Sequence, residues 1–465
     1  MSDKNYKPFP RPPKFKKLIG PSFIILALGL GSGEVILWPY MASNYGLGIA
    51  WGAMLGITFQ YFINMEIERY ALVKGESVFV GIAKIFKRAP YWFIISTFIG
   101  FGLPGIIAAS AKVFSVVLGI ESFKWLAIGF LLLIGVVLSS GKTVYGLMEK
   151  LTRTIILLGV PFIFILTVIL ATKIDWGILL QGLVGKGDGF WFLPRGIALA
   201  TFLAAFAYSG AGGNLNLTQS IYIKEKGYGM GFYSQKIAGL FANLKKKQKL
   251  KLSGEDFEIT EENLSNFKKW WKLISLEHLF VFWFIGLLSM CFLMLLSYVT
   301  TFGQVGNGEG INFVISEGMV IGKALFPVLG TFFLTVVSIM LFQTQLGVMD
   351  STSRIMAENV AIKKLHNNPE STLELSKIYF IFVWAQITFG VLLFLFNIYE
   401  PKTLIILGAV INAVAMFVHV GLVNWTNYKL LPKECQPRLW RRIIILLIFL
   451  FFGFFSTIVF VDKIF

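Results

Sequence analysis

Eleven apolar runs, each of membrane-spanning length, constrain this chain more than any other feature of its sequence. A spanning helix needs roughly 20 predominantly apolar residues. Runs of that kind fall near 18–40, 47–70, 91–118, 123–140, 151–172, 195–222, 273–298, 325–349, 376–397, 402–424 and 439–461. Only 14% of the 465 residues are charged, against about a quarter in a soluble protein. One globular core has no room for that much apolar surface. The expectation is an all-α integral membrane protein with about 11 transmembrane helices.

The net charge of +17 could suggest nucleic acid, but its distribution points to the lipid bilayer. Lys and Arg concentrate in the N-terminus and in the loops that start near 69, 141, 223, 354 and 429. The opposite loops hold only Lys124, Lys173, Lys186, Arg195, Lys323, Lys402 and Lys463. The positive-inside rule then sets the N-terminus in the cytosol and the C-terminus outside, with a prokaryotic plasma membrane the expected location. Residues 1–17, basic and proline-rich, read as a disordered cytosolic tail without the apolar core of a signal peptide. Residues 224–272 form the longest polar stretch, ending in Lys268-Lys269-Trp270-Trp271-Lys272. That end reads as an anchor at the headgroup layer. Two cysteines, Cys291 and Cys435, imply no disulfide framework.

Two of the runs are interrupted. The first carries Gly29-Leu30-Gly31-Ser32-Gly33-Glu34, and the sixth carries Tyr208-Ser209-Gly210-Ala211-Gly212-Gly213-Asn214. Glycine breaks a helix at low cost and frees backbone groups for a ligand. Within hydrocarbon such a break survives only where protein buries it or where it lines a cavity. Runs one and six are equivalent elements of a five-span repeat, and because five is odd the two repeats have opposite orientation. Gly-interrupted helices at matching places in inverted halves mark the central site of a transporter. The competing explanation is close helix packing through small residues.

The candidate substrate-binding residues are Gly31, Ser32, Gly33, Glu34, Ala211, Gly212, Gly213, Asn214 and Gln343. Glu66, Glu68, Arg69, Glu277, His278, Asp350 and His419 fall toward cytosolic ends of their runs, within reach of the interface. Glu34 and Lys112 lie deeper, at similar depth, and two readings stay open: a charge pair between them, or Lys112 snorkelling to the outer surface with Glu34 left free to face a cation. Gly141-Lys142-Thr143 ends an off-register P-loop-like run and reads as a basic anchor. No nucleophile elbow or zinc spacing is present, so neither an enzyme nor a cofactor is expected.

At these residues the chain resembles the NRAMP family of divalent-metal transporters, as a distant relative over most of its spans. Gly20-Pro21-Ser22-Phe23 resembles the family's GPGF, Gly31-Ser32-Gly33-Glu34 falls on its DPGN, and Ala211-Gly212-Gly213-Asn214-Leu215 falls on its MPHNL. The end of the second run, Lys74-Gly75-Glu76-Ser77, is similar too. Gln343-Thr344 and Ile355-Met356-Ala357-Glu358 stand where the family has GQSS and IVME. The resemblance implies a five-plus-five inverted repeat of the LeuT group: residues 18–172, residues 195–424 with the cytosolic loop 224–272, and an extra helix at 439–461. It implies alternating-access transport of a metal ion, with H+ or Na+ as candidate coupling ion.

The departures from the family pattern matter more. Gly31 replaces the Asp, Glu34 the Asn, Ala211 the Met and Gly213 the His of the two motifs, and Leu103 and Ile106 fall on the acidic pair of the third span. What is left is an oxygen set, Glu34, Asn214 and Gln343 with freed carbonyls, which suits hard cations such as Mg2+ or Mn2+. The alternative is an amino acid or small organic anion, because Gly-Ser-Gly also resembles a motif of amino-acid transporters on the same fold, whose broken helices hold a carboxylate.

The charge asymmetry yields a direct test. A cysteine introduced near Lys247, with Cys291 and Cys435 replaced by Ser, should resist an impermeant maleimide in intact cells and react in inside-out vesicles. Labelling in intact cells would reverse the topology.

Overall fold

The computed structural model describes residues 6–13, 21–29, 31–140, 144–187, 189–236 and 248–464. Gly20, Leu30, Gly141-Lys142-Thr143, Lys245 to Lys247 and Phe465 lie outside the described residues. The first run becomes α1 (Pro21–Gly29), a π-helical turn (Ser32–Leu37) and α2 (Trp38–Tyr45). Next come α3 (Ala50–Lys74) and the short α4 (Val78–Ile85). The third run is split into α5 (Ala89–Gly102) and α6 (Gly105–Leu118), followed by α7 (Phe123–Ser139), α8 (Val144–Leu170) and α9 (Lys173–Gly182). The sixth run gives α10 (Leu199–Ala207), a 3-10 turn (Gly213–Leu217) and α11 (Thr218–Lys226). The remainder is α12 (Glu261–His278), α13 (Ile285–Thr301), α14 (Asn312–Ala324), α15 (Pro327–Asn367), α16 (Leu375–Leu395), α17 (Pro401–Leu430) and α18 (Leu439–Ile464). Each apolar run read from the sequence thus falls on helix.

By length and apolarity alone, six helical stretches among the described residues can cross a membrane, or seven if the pair Leu157–Leu170 and Lys173–Gly182, bent by 118°, counts as one. The broken first and sixth runs fall short because each piece is a few turns long. The chain is an integral membrane protein. Local chemistry sets the ends of several helices. Glu400 caps α17 by accepting from the Lys402 and Thr403 amides, and Thr172 and Asp175 form a reciprocal capping box on α9. The break between α5 and α6 has a plain cause: Pro104 lacks an amide hydrogen and holds Leu103 extended. The third run, read as one helix, is therefore two.

Long α15 packs along α5 and α6, α17 lies against α10 and α5, and α13 supports α2 and α8. Charges expected at the cytosolic interface are instead buried and paired. Glu66 meets Arg69 at 2.8 Å and Arg441 of α18 at 2.5 Å, and Asp350 meets Arg354 at 2.9 Å. Glu68, Glu277, His278 and His419 are buried as well. A charge withdrawn from water needs such partners, because an unpaired one is expensive.

The face that carries the N-terminal segment and α12 corrects two further expectations. Trp270 is buried, donating its indole hydrogen to the Pro10 carbonyl at 2.8 Å, and the Arg69 guanidinium lies 3.8 Å from the Trp271 ring centre. These indoles serve the protein interior rather than the headgroup layer. The tail expected to be disordered is docked over residues 6–13. Phe9 is 2% exposed, its ring 4.8 Å from Phe257 and 6.0 Å from Phe267. Its amide donates to Asn263 Oδ1 at 2.9 Å, and its carbonyl accepts from Asn266 at 3.2 Å. One aromatic anchor with satisfied backbone groups offsets the entropy of ordering so short a segment.

Phe9→Ala should therefore free the strap. Hydrogen-exchange mass spectrometry should show the Lys7 and Phe9 amides losing protection while α12 stays protected. Unchanged protection would mean that the aromatic anchor does not hold the tail.

Candidate functional site

The two broken helices meet backbone to backbone. A methyl group built on Gly33 would stand 1.8 Å from the Tyr208 carbonyl oxygen, and one on Gly29 would stand 2.8 Å from Gly210 Cα. No larger residue fits at either place. In the sixth span the chain leaves α10 at Ala207 and passes Gly210 and Gly212 with φ of +142° and +70°, a region that L side chains avoid. Gly31 packs on α15, where a methyl would meet Thr344 Cγ2 at 2.3 Å. The glycines thus serve close packing, and the same packing keeps the opened backbone inside the protein.

Gln60 of α3 replaces the backbone pairing lost at the sixth-span break. Its amide nitrogen donates to the Ala207 carbonyl at 2.8 Å. Its oxygen accepts from the Gly212 amide and from Asn216 Nδ2, each at 3.2 Å. Trp38 of α2 adds a bond from its indole to Ser209 Oγ at 2.9 Å.

Glu34 lies in the π-helical turn and is 0% exposed. Neither carboxylate oxygen has a hydrogen-bond partner. Its surroundings are apolar: a methyl on Gly286 of α13 would stand 3.8 Å from Glu34 Oε1, 2.5 Å from Ile57 Cδ1 and 3.2 Å from Leu26 Cδ1. An ionised carboxylate in such a place is strongly disfavoured without a cation or proton beside it.

The charge pair between Glu34 and Lys112 is absent. The charges acting on Lys112 are Glu400 and Glu309, and a methyl on Gly310 would meet Glu400 Oε1 at 2.9 Å and Lys112 Nζ at 3.3 Å. Similar depth in the membrane did not imply contact, because Lys112 faces the loop ahead of α14 while Glu34 faces α13. Lys402 joins this cluster, donating to the Gly308 carbonyl at 2.6 Å.

The other candidates separate into two groups. Gly33 meets Tyr208 across the contact of the breaks and Gly31 lies against Thr344 of α15, while Ser32, Ala211 and Gly212 are buried within the breaks themselves. Asn214 is held on the α5 side, donating to Ser96 Oγ at 2.8 Å and Thr97 Oγ1 at 2.9 Å, with its own oxygen unpartnered. A methyl on Gly213 would stand 2.2 Å from Asn412 Oδ1 of α17, so that glycine makes room for Asn412. Gln343 is buried on α15, next to the Thr344 that meets Gly31. Glu34 and Asn214 share no partner, and no group of three or more His, Cys, Asp or Glu able to hold a metal ion exists among the described residues.

Sequence reasoning missed Asn412 and Tyr208 as one unit. Asn412 donates to Tyr208 Oη and to the Gly100 carbonyl, both at 2.9 Å, while its Oδ1 stays unpartnered. Asn412 in the middle of the tenth run, between Leu404 and Val418 the one polar side chain, was the available signal. Gln60 in the second run was another.

Two broken helices packed against each other within a bundle of apolar helices give the fold expected from the sequence, the LeuT-type fold. Solved structures share it. A manganese transporter mutant from Eremococcus coleocola superposes with a TM-score of 0.70 at 13% identity, covering 98% of this chain and 90% of that one. The same transporter in complex with an aromatic bis-isothiourea compound gives 0.69 at 12%, with the same coverage. Mhp1, a nucleobase-cation-symport-1 family transporter in a closed conformation with bromovinylhydantoin bound, gives 0.50 at 14%, covering 90% of this chain and 80% of that one. No family profile and no curated protein sequence matches the chain. The likeness is one of fold.

The separation of Glu34 from Lys112 has a measurable consequence. The changes in unfolding free energy of Glu34→Gln and Lys112→Met, obtained from thermal melts, should add in the double mutant to within about 0.5 kcal/mol, as for residues out of contact. Lys112→Met with Glu400→Gln should be non-additive. Coupling between Glu34 and Lys112 would contradict the geometry.

Proposed function

We propose that this chain is a secondary active transporter working by alternating access, with residues 18–172 and 195–424 as its inverted repeats and its N-terminus in the cytosol. Its substrate in this reading is a divalent cation. The carrying observation is Glu34: a fully buried carboxylate without a hydrogen-bond partner at the meeting of the two breaks. Lys112 is engaged with acidic residues elsewhere, which leaves the Glu34 charge to a mobile cation or proton. Glu34 is the one carboxylate. Asn214, here held on the α5 side by Ser96 and Thr97, and Gln343 of α15 would have to converge on it with freed carbonyls to complete a donor set that is all oxygen. It suits a hard cation such as Mn2+ or Mg2+ better than a soft one. Fold kinship with a manganese transporter agrees with this reading.

The organic-substrate alternative draws on the fold shared with Mhp1 and on the backbone opened at Gly210 and Gly212, where Gln60 would have to release the Gly212 amide. One experiment separates the two. Purified protein is melted with Mn2+, Mg2+ or a panel of amino acids, where a native-state ligand at 100 times its Kd stabilises by about 2.7 kcal/mol. Mn2+ or Mg2+ should raise the melting temperature of the wild type and not of Glu34→Gln, and Glu34→Gln should abolish Mn2+ counterflow in proteoliposomes. Stabilisation by amino acids alone would replace the cation reading.

A further inference from the structure

Below the breaks, one face of α3 carries Gln60, Asn64 and Glu68, each four residues apart and each 0–1% exposed. At 1.5 Å rise per residue this stripe runs about 12 Å along the helix. Its upper end is the Gln60 clamp on Gly212. Asn64 Oδ1 accepts from Asn216 at 2.8 Å, and Glu68 Oε1 accepts from Gln219 at 2.7 Å. Asn64 Nδ2, Asn216 Oδ1, Gln219 Oε1 and Glu68 Oε2 are all buried without a hydrogen-bond partner. Four such atoms along one face are the condition under which water or a proton enters a protein interior.

The stripe ends in a chain of proton-carrying groups from three helices. Glu68 Oε1 is 3.2 Å from His278 Nδ1, which is 2.8 Å from Ser22 Oγ of α1, and the Ser22 hydroxyl donates to Glu277 Oε2. The imidazole is fixed between two rings, Phe282 at 4.7 Å and 12° and Tyr61 at 5.6 Å and 29°, so its Nδ1 stays aimed at both partners. Of the other charged or titratable groups facing the cluster, Tyr61 comes from α3, and Arg441 from α18 is committed to Glu66 at 2.5 Å. Glu66 is itself shared with Arg69, and α11 offers the neutral Gln219. Two carboxyl groups joined through one imidazole and one hydroxyl in a buried setting titrate as a unit.

We propose that Glu68, His278, Ser22 and Glu277 form a proton-exchange site that couples transport to protons on the cytosolic side of the broken helices. The transfer balances. A proton on Glu68 Oε1 moves to His278 Nδ1. The imidazolium passes a proton to Ser22 Oγ as that hydroxyl gives its own to Glu277 Oε2. Glu68 ends ionised and Glu277 protonated, while His278 and Ser22 return to their starting states. The coupling role rests on the transporter reading; the proton exchange itself does not.

The test has two arms. In detergent, without substrate, difference infrared spectra should show a carboxyl band that titrates in the wild type and is lost in the Glu68→Gln/Glu277→Gln double variant. A band unchanged in that variant would refute the exchange site. In sodium-free proteoliposomes, Ser22→Ala and Glu68→Gln should lose Mn2+ uptake driven by a pH gradient and keep Mn2+ counterflow. Ser22→Ala leaves both carboxyls in place, so it decides the matter if Glu68→Gln does not fold. Gradient-driven uptake that survives in Ser22→Ala, or wild-type uptake driven by Na+ alone, would overturn the coupling. If the wild type moves no Mn2+ at all, the cation reading fails, and the infrared arm still decides the proton site.

Discussion

The structure depends on how the opened backbone of the sixth span is satisfied away from water. Every buried amide and carbonyl freed from a helix needs a new partner, and lipid offers none. Gln60 supplies one from each end of its amide, to the last turn of α10 and to the first amide beyond the break. That single side chain fixes α3 against the break. The break in turn fixes the first span, because Gly29 and Gly33 leave no gap between the two backbones. α17 closes the third side through Asn412, which ties Tyr208 to the Gly100 carbonyl at the end of α5.

Around this centre the polar groups follow two different rules. Several charges are buried and internally paired, as in Glu66 with Arg69 and Arg441, or Asp350 with Arg354. Such pairs cost heavily if one member is lost, so they lock helices in register more than they stabilise them. Arg441 in particular ties α18 to α3. Glu34 follows the other rule. It has apolar neighbours and no partner, and that asymmetry makes it the focus of the proposed site.

The end of the bundle opposite α12 carries a cluster of its own. Lys402 reaches the Gly308 carbonyl and lies 4.6 Å from the Tyr40 ring centre, while Lys112 and Glu400 converge near Gly310. The loop ahead of α14 is thereby held over α2, the second half of the first broken span. Alternating access would require those contacts to part.

The sequence by itself determined the membrane class, the helical runs and the two glycine interruptions, because those depend on local apolarity and on backbone freedom that only glycine provides. The proline that splits α5 from α6 was equally legible in Pro104, although the run was read as continuous. Contact between particular side chains was not legible. Equal depth suggested that Glu34 and Lys112 pair, yet depth along two helices leaves their rotation about the helix axis free, and the packing turned Lys112 toward Glu400. The same freedom hid the alignment of Gln60, Asn64 and Glu68 with Asn216, Gln219 and His278. The tail at residues 6–13 looked disordered because its composition carries no information about the pocket between Phe257 and Phe267 that receives Phe9. Local pattern decides which segments become helices and where they break, whereas partners distant in sequence meet only after the helices have packed, and only the tertiary structure records that rotation.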